Sequence, residues 1–219
     1  MNIVIIGAGG HGQVVLDILR HDADARLVGF IDDDKTTHNK IIDGVPVLGS
    51  VSALPTLIPR DKLDGAVIAV GDNKVRADLH EKLKAAGLKL KVAVHPDALI
   101  ARDVGIGEGV VIAAGVVIST GTRIGDNVII NTGAVIDHDN IIEDYSHISP
   151  GATLAGKVRV GKYSHVGLGV TIIQDLTIGD NATVGAGAVV LTDIPDNATA
   201  VGVPAKVIKR KEPARHAER

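Results

Sequence analysis

The chain has 219 residues, 45% apolar and 22% charged, with 26 glycines, no cysteine and a net charge of −3. That balance excludes a disulfide framework, a cysteine nucleophile, thiolate metal sites and a general nucleic-acid binder. Tryptophan is absent and only Phe30, Tyr145 and Tyr163 carry benzenoid rings, so the core must be built from Val, Ile, Leu and Ala.

Residues 1–94 alternate between strand and helix patterns. The run 2–6 (NIVII) is apolar and β-branched, as a buried parallel strand requires. The glycine loop 7–12 follows, and helical spacing over 13–20 runs through Val14, Val15, Ile18 and Leu19. Further strands are predicted over 27–31, ending in Asp32-Asp33-Asp34, and over 66–70, closed by Gly71-Asp72-Asn73. An amphipathic helix is predicted over 75–86 and a last short strand over 91–94. Strands alternating with helices imply an α/β, Rossmann-like domain with a parallel sheet. No apolar run approaches the ~20 residues of a membrane span and no signal-type segment follows Met1, so a cytoplasmic location is expected.

From Ile100 the period changes to six. Sixteen consecutive hexads, from position 100 to position 190, begin with Ile, Leu or Val. The fifth position is small or aliphatic except at Asn140, and on a strand it points to the same side as the first. Glycine favours position two, as in Gly107, Gly125 and Gly161, with a tight corner expected to follow it. Three short strands per coil make a triangular parallel β-helix, roughly 25 Å tall for about five coils at ~4.8 Å.

Two constellations carry chemistry. Gly7-x-Gly9-x-x-Gly12 opens a helix after a strand, and Asp32 lies 20 residues beyond Gly12. In such a loop backbone N–H groups and a helix N-terminus hold a diphosphate, while the acid takes a ribose hydroxyl. A tight turn for helix–strand packing is the structural alternative. The α/β segment supplies only half a dinucleotide site, so a nucleoside diphosphate with cargo fits better than NAD. The candidate contacts are Gly9, Gly10 and His11, Asp32 and Asp33, and Gly71 with Asn73.

In the solenoid, His138 sits at a corner position followed by Asp139, and His147 and His165 lie one coil apart on an outward face. A histidine can take a proton near neutral pH, and an adjacent carboxylate can hold its ring. In an isolated prism all three would be solvated surface residues. Val111, Val117, Ile129, Val135 and Ile141 at position six form an apolar outer face, and outward histidines could then line a cleft between subunits.

The order of glycine loop, Phe30-Ile31-Asp32-Asp33, 69–73 (AVGDN) and hexapeptide solenoid resembles bacterial nucleotide-sugar N-acetyltransferases of 4-amino-4,6-dideoxy sugars; sialic acid O-acetyltransferases are relatives. The most specific pieces are 136–139 (IDHD), 146–152 (SHISPGA) with Ala155-Gly156, and 201–206 (VGVPAK). The resemblance implies a left-handed solenoid, with a nucleotide-sugar domain over 1–94, an acetyltransferase domain over 95–205 and a basic tail over 206–219. His138 would be the general base and Asp139 would raise its basicity. His147 and Gly156 would contact acetyl-CoA, with Leu168 and Ala186 on later turns. Residues 9–11, Asp32, Asp33 and Gly71 would hold the nucleotide sugar. A homotrimer is implied, with active sites between neighbouring solenoids and no metal.

With no cysteine and no Gly-x-Ser-x-Gly elbow, direct attack of a C4 amine on the thioester is favoured over a covalent relay. The tail carries six Lys/Arg against two Glu, which would attract CoA phosphates or simply remain solvated. The alternatives are sugar O-acetylation, a non-catalytic nucleotide-binding assembly protein, and a metal-dependent hydratase built on His147 and His165.

Overall fold

The computed structural model describes residues 1–210; Lys211–Arg219, the greater part of the expected tail, lies outside the described residues. In the first domain β1 (Asn2–Ile6) leads through the glycine turn into α1 (Gly10–Arg20), and β2 (Arg26–Ile31) follows. Next come β3 (Ile41–Ile42), β4 (Val45–Gly49), α2 (Leu54–Asp61), β5 (Gly65–Ile68), α3 (Asn73–Ala85) and β6 (Lys89–Leu90). The sheet order is β3-β4-β2-β1-β5-β6, parallel except for the β3–β4 pair. Ile3 and Ile5 face α1, packing with Val15, Leu16 and Leu19, while Val4 and Ile6 face Leu54, Leu57, Leu79 and Leu83. Burial on both faces explains the unbroken apolar run of β1.

Residues 41–61 carry a β-ribbon and a helix that the sequence pattern does not announce. Pro46 lies within β4, and Pro55 and Pro59 lie within α2. Proline removes a backbone donor and argues against both element types in a single-sequence reading. Pro55 is tolerated because it occupies the first turn, where the N–H has no helical partner. The strand expected over 91–94 is also corrected. β6 ends the first sheet at Leu90, and Ala93–Val94 already pairs with Val111–Ile112 as the opening strand of the solenoid.

Beyond it, the hexads form a parallel β-helix with three faces. The first face holds the strands at 93–94, 111–112, 129–130, 147–148, 165–166 and 183–184. The second runs from Leu99–Ile100 to Val189–Val190, and the third from Gly105–Ile106 to Thr177–Ile178. Partners are 18 residues apart, as in Val135↔Thr153. Hexad positions one and five fill the interior, with Ile112, Ile136, Leu154, Val110 and Ala152 all fully buried. The sheet of the first face is closed by Ala198–Val201, against which Lys206–Arg210 runs antiparallel, so the tail begins as an exposed strand.

The corner follows the glycine of position two, as expected, and does not fall on it. The left-handed φ falls at position four, on Gly109, Gly115, Gly133 and Gly151 but also on Asn127, Asp139, Tyr145 and Tyr163. Position two is glycine for space: a Cβ on Gly107 would stand 2.4 Å from Asp126 Oδ1, and one on Gly125 2.3 Å from Asp144 Oδ1. Those carboxylates accept from Glu108 N (2.9 Å) and Asp126 N (3.0 Å), which ties successive coils together.

The position-six residues likewise do not form one outer face but alternate around all three. Val111 and Ile129 lie on the first face and are buried, and Val111 joins the core of β1 and α1 in the chain's own α/β domain. Val135 and Ile141, on the second and third faces, are exposed. Among the described residues no helix is long and apolar enough to cross a membrane.

Candidate active site

The sequence-predicted residues fall into four places. The first is the carboxyl edge of the α/β sheet. Gly7 has φ 108°, and a Cβ on Gly12 would stand 2.2 Å from Gly7 O, so the loop turns tightly and α1 lies against it. Gly9 and Gly10 have no atom within 4 Å of a would-be Cβ, which leaves the N-terminus of α1 open. Both oxygens of Asp32 are taken up by the chain's own backbone, Oδ2 accepting from Ala8 N (2.6 Å) and Oδ1 from Asp34 N (2.8 Å). Asp32 therefore locks the glycine loop to the end of β2. Asp33 is exposed, accepts from Val51 N at 2.8 Å, and lines adjoining clefts of about 180 and 490 Å³. Lys82 and Ser52 line the larger one.

The second place is the junction where the first face of the solenoid meets the α/β domain. His147 is 9% exposed and His165 half-buried, so neither is the solvated residue of an isolated prism. Their rings lie 4.8 Å apart. Asn131 Nδ2 donates to His147 Nε2 at 3.2 Å, which puts the proton of the neutral ring on Nδ1. That Nδ1 lies toward the Gly71 backbone but makes no hydrogen bond of good geometry among the described residues, and buried His11 Nε2 is equally unpaired. Ser149 Oγ lies 2.9 Å from His165 Nε2. Burial, reinforced by His165, Arg76 and His11, holds the His147 imidazole down to about 3. Burial and Arg76 hold His11 down to about 4 and depress His165 as well. Asn73, grouped by sequence with the ligand contacts, turns instead to the solenoid, donating to Tyr163 O at 2.8 Å.

These depressed values make stability pH-dependent. A histidine buried neutral lets the unfolded chain bind the extra proton, so stability is full above about pH 6.5 and falls as pH drops toward the folded value. Between pH 7.5 and 4.5, His147 and His11 should each remove on the order of 2 kcal/mol. Urea unfolding at both pH values should show a smaller loss in His147→Asn. An identical loss in that variant refutes the assignment.

The third place is the edge between the second and third faces. His138 Nδ1 donates to Asp139 Oδ2 at 2.9 Å, leaving the Nε2 lone pair outward; the side chains are 48% and 55% exposed. The ring lies over Gly156 of the next coil, where a Cβ would approach Cε1 and Nε2 to 2.5 Å. Asp139 has φ 59°, and its Oδ1 stands 2.3 Å from a would-be Cβ of Gly121. Two glycines on flanking coils thus make room for the pair. Asn140, the one irregular fifth position, is fully buried, and its Nδ2 donates to Asp137 O (2.7 Å) and Ala155 O (3.0 Å). Thr122 Oγ1 also donates to Asp137 O. The break in the hexad rule is the anchor of the histidine turn.

The first two places meet at His11, Gly71 and His147, but Leu168 and Ala186 make a fourth place, on a different edge of the prism from the His138 turn. Gly156 lies beneath His138, whereas Leu168 and Ala186, both exposed, lie on the edge between the first and second faces, on successive coils (Gly187 N to Leu168 O, 2.8 Å). His147 belongs to the first face. Among the described residues no cluster of three or more His, Asp or Glu has a metal-binding arrangement.

Residues 2–83 match the family described as PglD N-terminal domain. A perosamine N-acetyltransferase from Caulobacter crescentus, solved as a histidine mutant with CoA and GDP-perosamine, is similar at 42% identity. That match covers 95% of this chain and 97% of the other, with a TM-score of 0.90. The chain belongs to the nucleotide-amino-sugar N-acetyltransferases of the hexapeptide-repeat superfamily. The acetyltransferase domain of PglB from Neisseria gonorrhoeae FA1090, solved with acetyl coenzyme A, is 39% identical over 94% of this chain and 98% of that one, with TM-score 0.87. UDP-N-acetylbacillosamine N-acetyltransferase of Bacillus subtilis is 43% identical over 116 residues. That stretch is 52% of this chain and 51% of the relative, so the match spans about half of the curated protein and nearly all of the solved chains.

For this N-acetyltransferase chain, the residues that sequence reasoning missed are Arg76, Asn131, Ser149 and Thr122. Arg76 had a signal. It lies with Leu79, His80 and Leu83 on the buried stripe of α3, where a charged side chain needs an answer in the tertiary structure. Ser149 lies within the quoted 146–152 piece without a role assigned to it, and Asn131 had no signal, because both act through contacts one coil away.

Proposed function

We propose that this chain transfers the acetyl group of acetyl-CoA to the C4 amine of a nucleotide-linked 4-amino-4,6-dideoxy sugar, with His138 as general base. The observation that carries this reading is the dyad. Asp139 holds Nδ1 of His138, so the lone pair of Nε2 faces outward over Gly156, where an incoming amine can give up its proton. The relatives' bound CoA, acetyl coenzyme A and GDP-perosamine support the substrate classes.

The thioester is already activated, so the reaction needs alignment and proton removal. The amine nitrogen attacks the acetyl carbonyl, the C–N bond forms, and the C–S bond breaks with the pair leaving on sulfur. His138 takes the amine proton and returns it to the thiolate or to water. The α/β domain holds the nucleotide sugar: the α1 N-terminus with Gly9, Gly10 and His11 faces the diphosphate, Asp33 faces the nucleoside, and Asp32 and Gly71 shape the cleft. Acetyl-CoA lies along the exposed Leu168 and Ala186 edge, with His147 and Gly156 as the further contacts that the family resemblance implies.

The dyad and that edge occupy different corners of the prism. A threefold arrangement, in which the His138 corner of one chain faces the Leu168 corner of the next, closes the site. Release of free thiol from acetyl-CoA, measured over a panel of nucleotide-linked amino sugars and their hydroxyl counterparts, tests the reading. Turnover with a 4-amino sugar nucleotide is expected. Thiol release with hydroxyl acceptors alone, or with none, overturns it.

A further inference from the structure

The two domains meet around one buried cation. Arg76, in the first turn of α3, is 1% exposed and has no carboxylate within ion-pair distance among the described residues. Its guanidinium is answered by oxygens of both domains instead. On the α/β side Nη1 donates to Val70 O (2.9 Å) and Gly71 O (3.3 Å), and Nη2 to Asn73 Oδ1 (2.8 Å). On the solenoid side Nε donates to Asn127 O (2.7 Å), and Nη2 to Tyr145 O (2.8 Å) and Ser146 O (3.2 Å). Asn73 completes the seam by donating to Tyr163 O and Ser164 O. Asn127, Tyr145 and Tyr163 are the left-handed position-four residues of three successive coils, so α3 docks along one edge of the prism.

The two ends of this bridge lie where the reaction needs them. Val70 and Gly71 form the turn after β5, beside the cleft with Asp33, and Ser146 immediately precedes His147. We propose that Arg76 is a positioning residue for acetyl transfer, holding the Gly71 turn of the acceptor domain in register with His147 of the solenoid. This rests on the acetyltransferase reading given above.

A buried guanidinium without a counter-ion is costly, and an apolar side chain would fill the same space more cheaply. What only arginine supplies is a rigid planar fork that reaches carbonyls in several directions at once. Burial brings Arg76 down to about 10, opposed by Asp72 and Tyr145, so it stays charged at neutral pH. Its charge is felt by His11 on one domain and by His147 and His165 on the other, after the larger effect of their own burial. His80, one turn further along α3, lies between Tyr145 Oη and Glu108 and continues the seam.

Arg76→Lys keeps the charge, but its single nitrogen cannot span both sets of carbonyls. In the full-length protein kcat should fall roughly 30- to 100-fold, the scale of an ångström-level misplacement, with both Michaelis constants within threefold. Placed on His147→Asn, the same change should cost less than threefold further, because Arg76 acts through His147. A generally weakened fold would instead multiply the two losses. Asn73→Ala, which removes one acceptor of the guanidinium, should lower kcat about five- to tenfold and supplies the test if Arg76 variants fail to fold. Histidine titrations followed by NMR need no turnover: the His147 and His11 midpoints should rise in Arg76→Met and stay low in Arg76→Lys. Full turnover in Arg76→Lys, multiplicative losses with His147→Asn, or unmoved midpoints in Arg76→Met overturns the proposal. A wild-type protein without acetyl transfer overturns the reaction reading alone, and the titrations then decide the place of Arg76.

Discussion

Replacing His138 by alanine should lower kcat by roughly 10²- to 10⁴-fold, the usual contribution of a positioned general base. Both Michaelis constants should stay within a few-fold, because in the proposed mechanism the ring meets the reacting proton and not the nucleotide or the CoA. The fold should be unharmed. The His138 side chain is 48% exposed and its turn is anchored from beneath by Asn140 and Thr122. Steady-state kinetics beside a thermal melt separates these effects. Turnover within tenfold of wild type, in protein with an unchanged melt, removes His138 from the mechanism.

Gly156→Ala tests the same site from the opposite direction, leaving the imidazole intact and taking away its seat. The new methyl would stand 2.5 Å from Cε1 and Nε2 of His138, about an ångström inside ordinary contact. The imidazole ends a rotatable side chain on an exposed edge, so it can swing away with little loss of stability. Once displaced it is no longer aligned with the amine, and kcat should drop on the order of 10²-fold. Gly156 is also implied, by resemblance, in holding acetyl-CoA, and the kinetics distinguish the roles. A fall in kcat at constant KM identifies the seat of the base, whereas a raised KM for acetyl-CoA with unchanged kcat identifies a cofactor contact and refutes the seating argument.

Much of this molecule is legible in one dimension. Each hexad buries its first and fifth residues, so the solenoid is a local pattern repeated, and no long-range knowledge is needed to see it. The same regularity exposes its exception: Asn140 stands out in sequence, and it is the residue whose amide holds the turn before His138. The glycine loop is similarly local, since Gly7 and Gly12 meet across five residues. What escaped are features set by partners distant in sequence. Strand β4 and helix α2 carry prolines that read as breakers, and only the pairing of β4 between β3 and β2 and the packing of α2 against Leu83 and Ile68 decide their form.

The histidines draw the line most clearly. Sequence alone determined the α/β and solenoid halves, the inward positions of every coil, and the His138–Asp139 pair, because adjacency and period are local properties. For an isolated prism it put His147 and His165, like His138, in solvent, and offered only a cleft between subunits as cover. The tertiary structure decided otherwise by laying the α/β domain over the first face, which buries His147 among Asn131, His165 and the field of Arg76. That seam joins residues some 50 to 90 positions apart, as in Arg76 with Asn127 and Asn73 with Tyr163. Burial and charge at such a contact depend on which surfaces meet, and no periodicity within either domain encodes that choice.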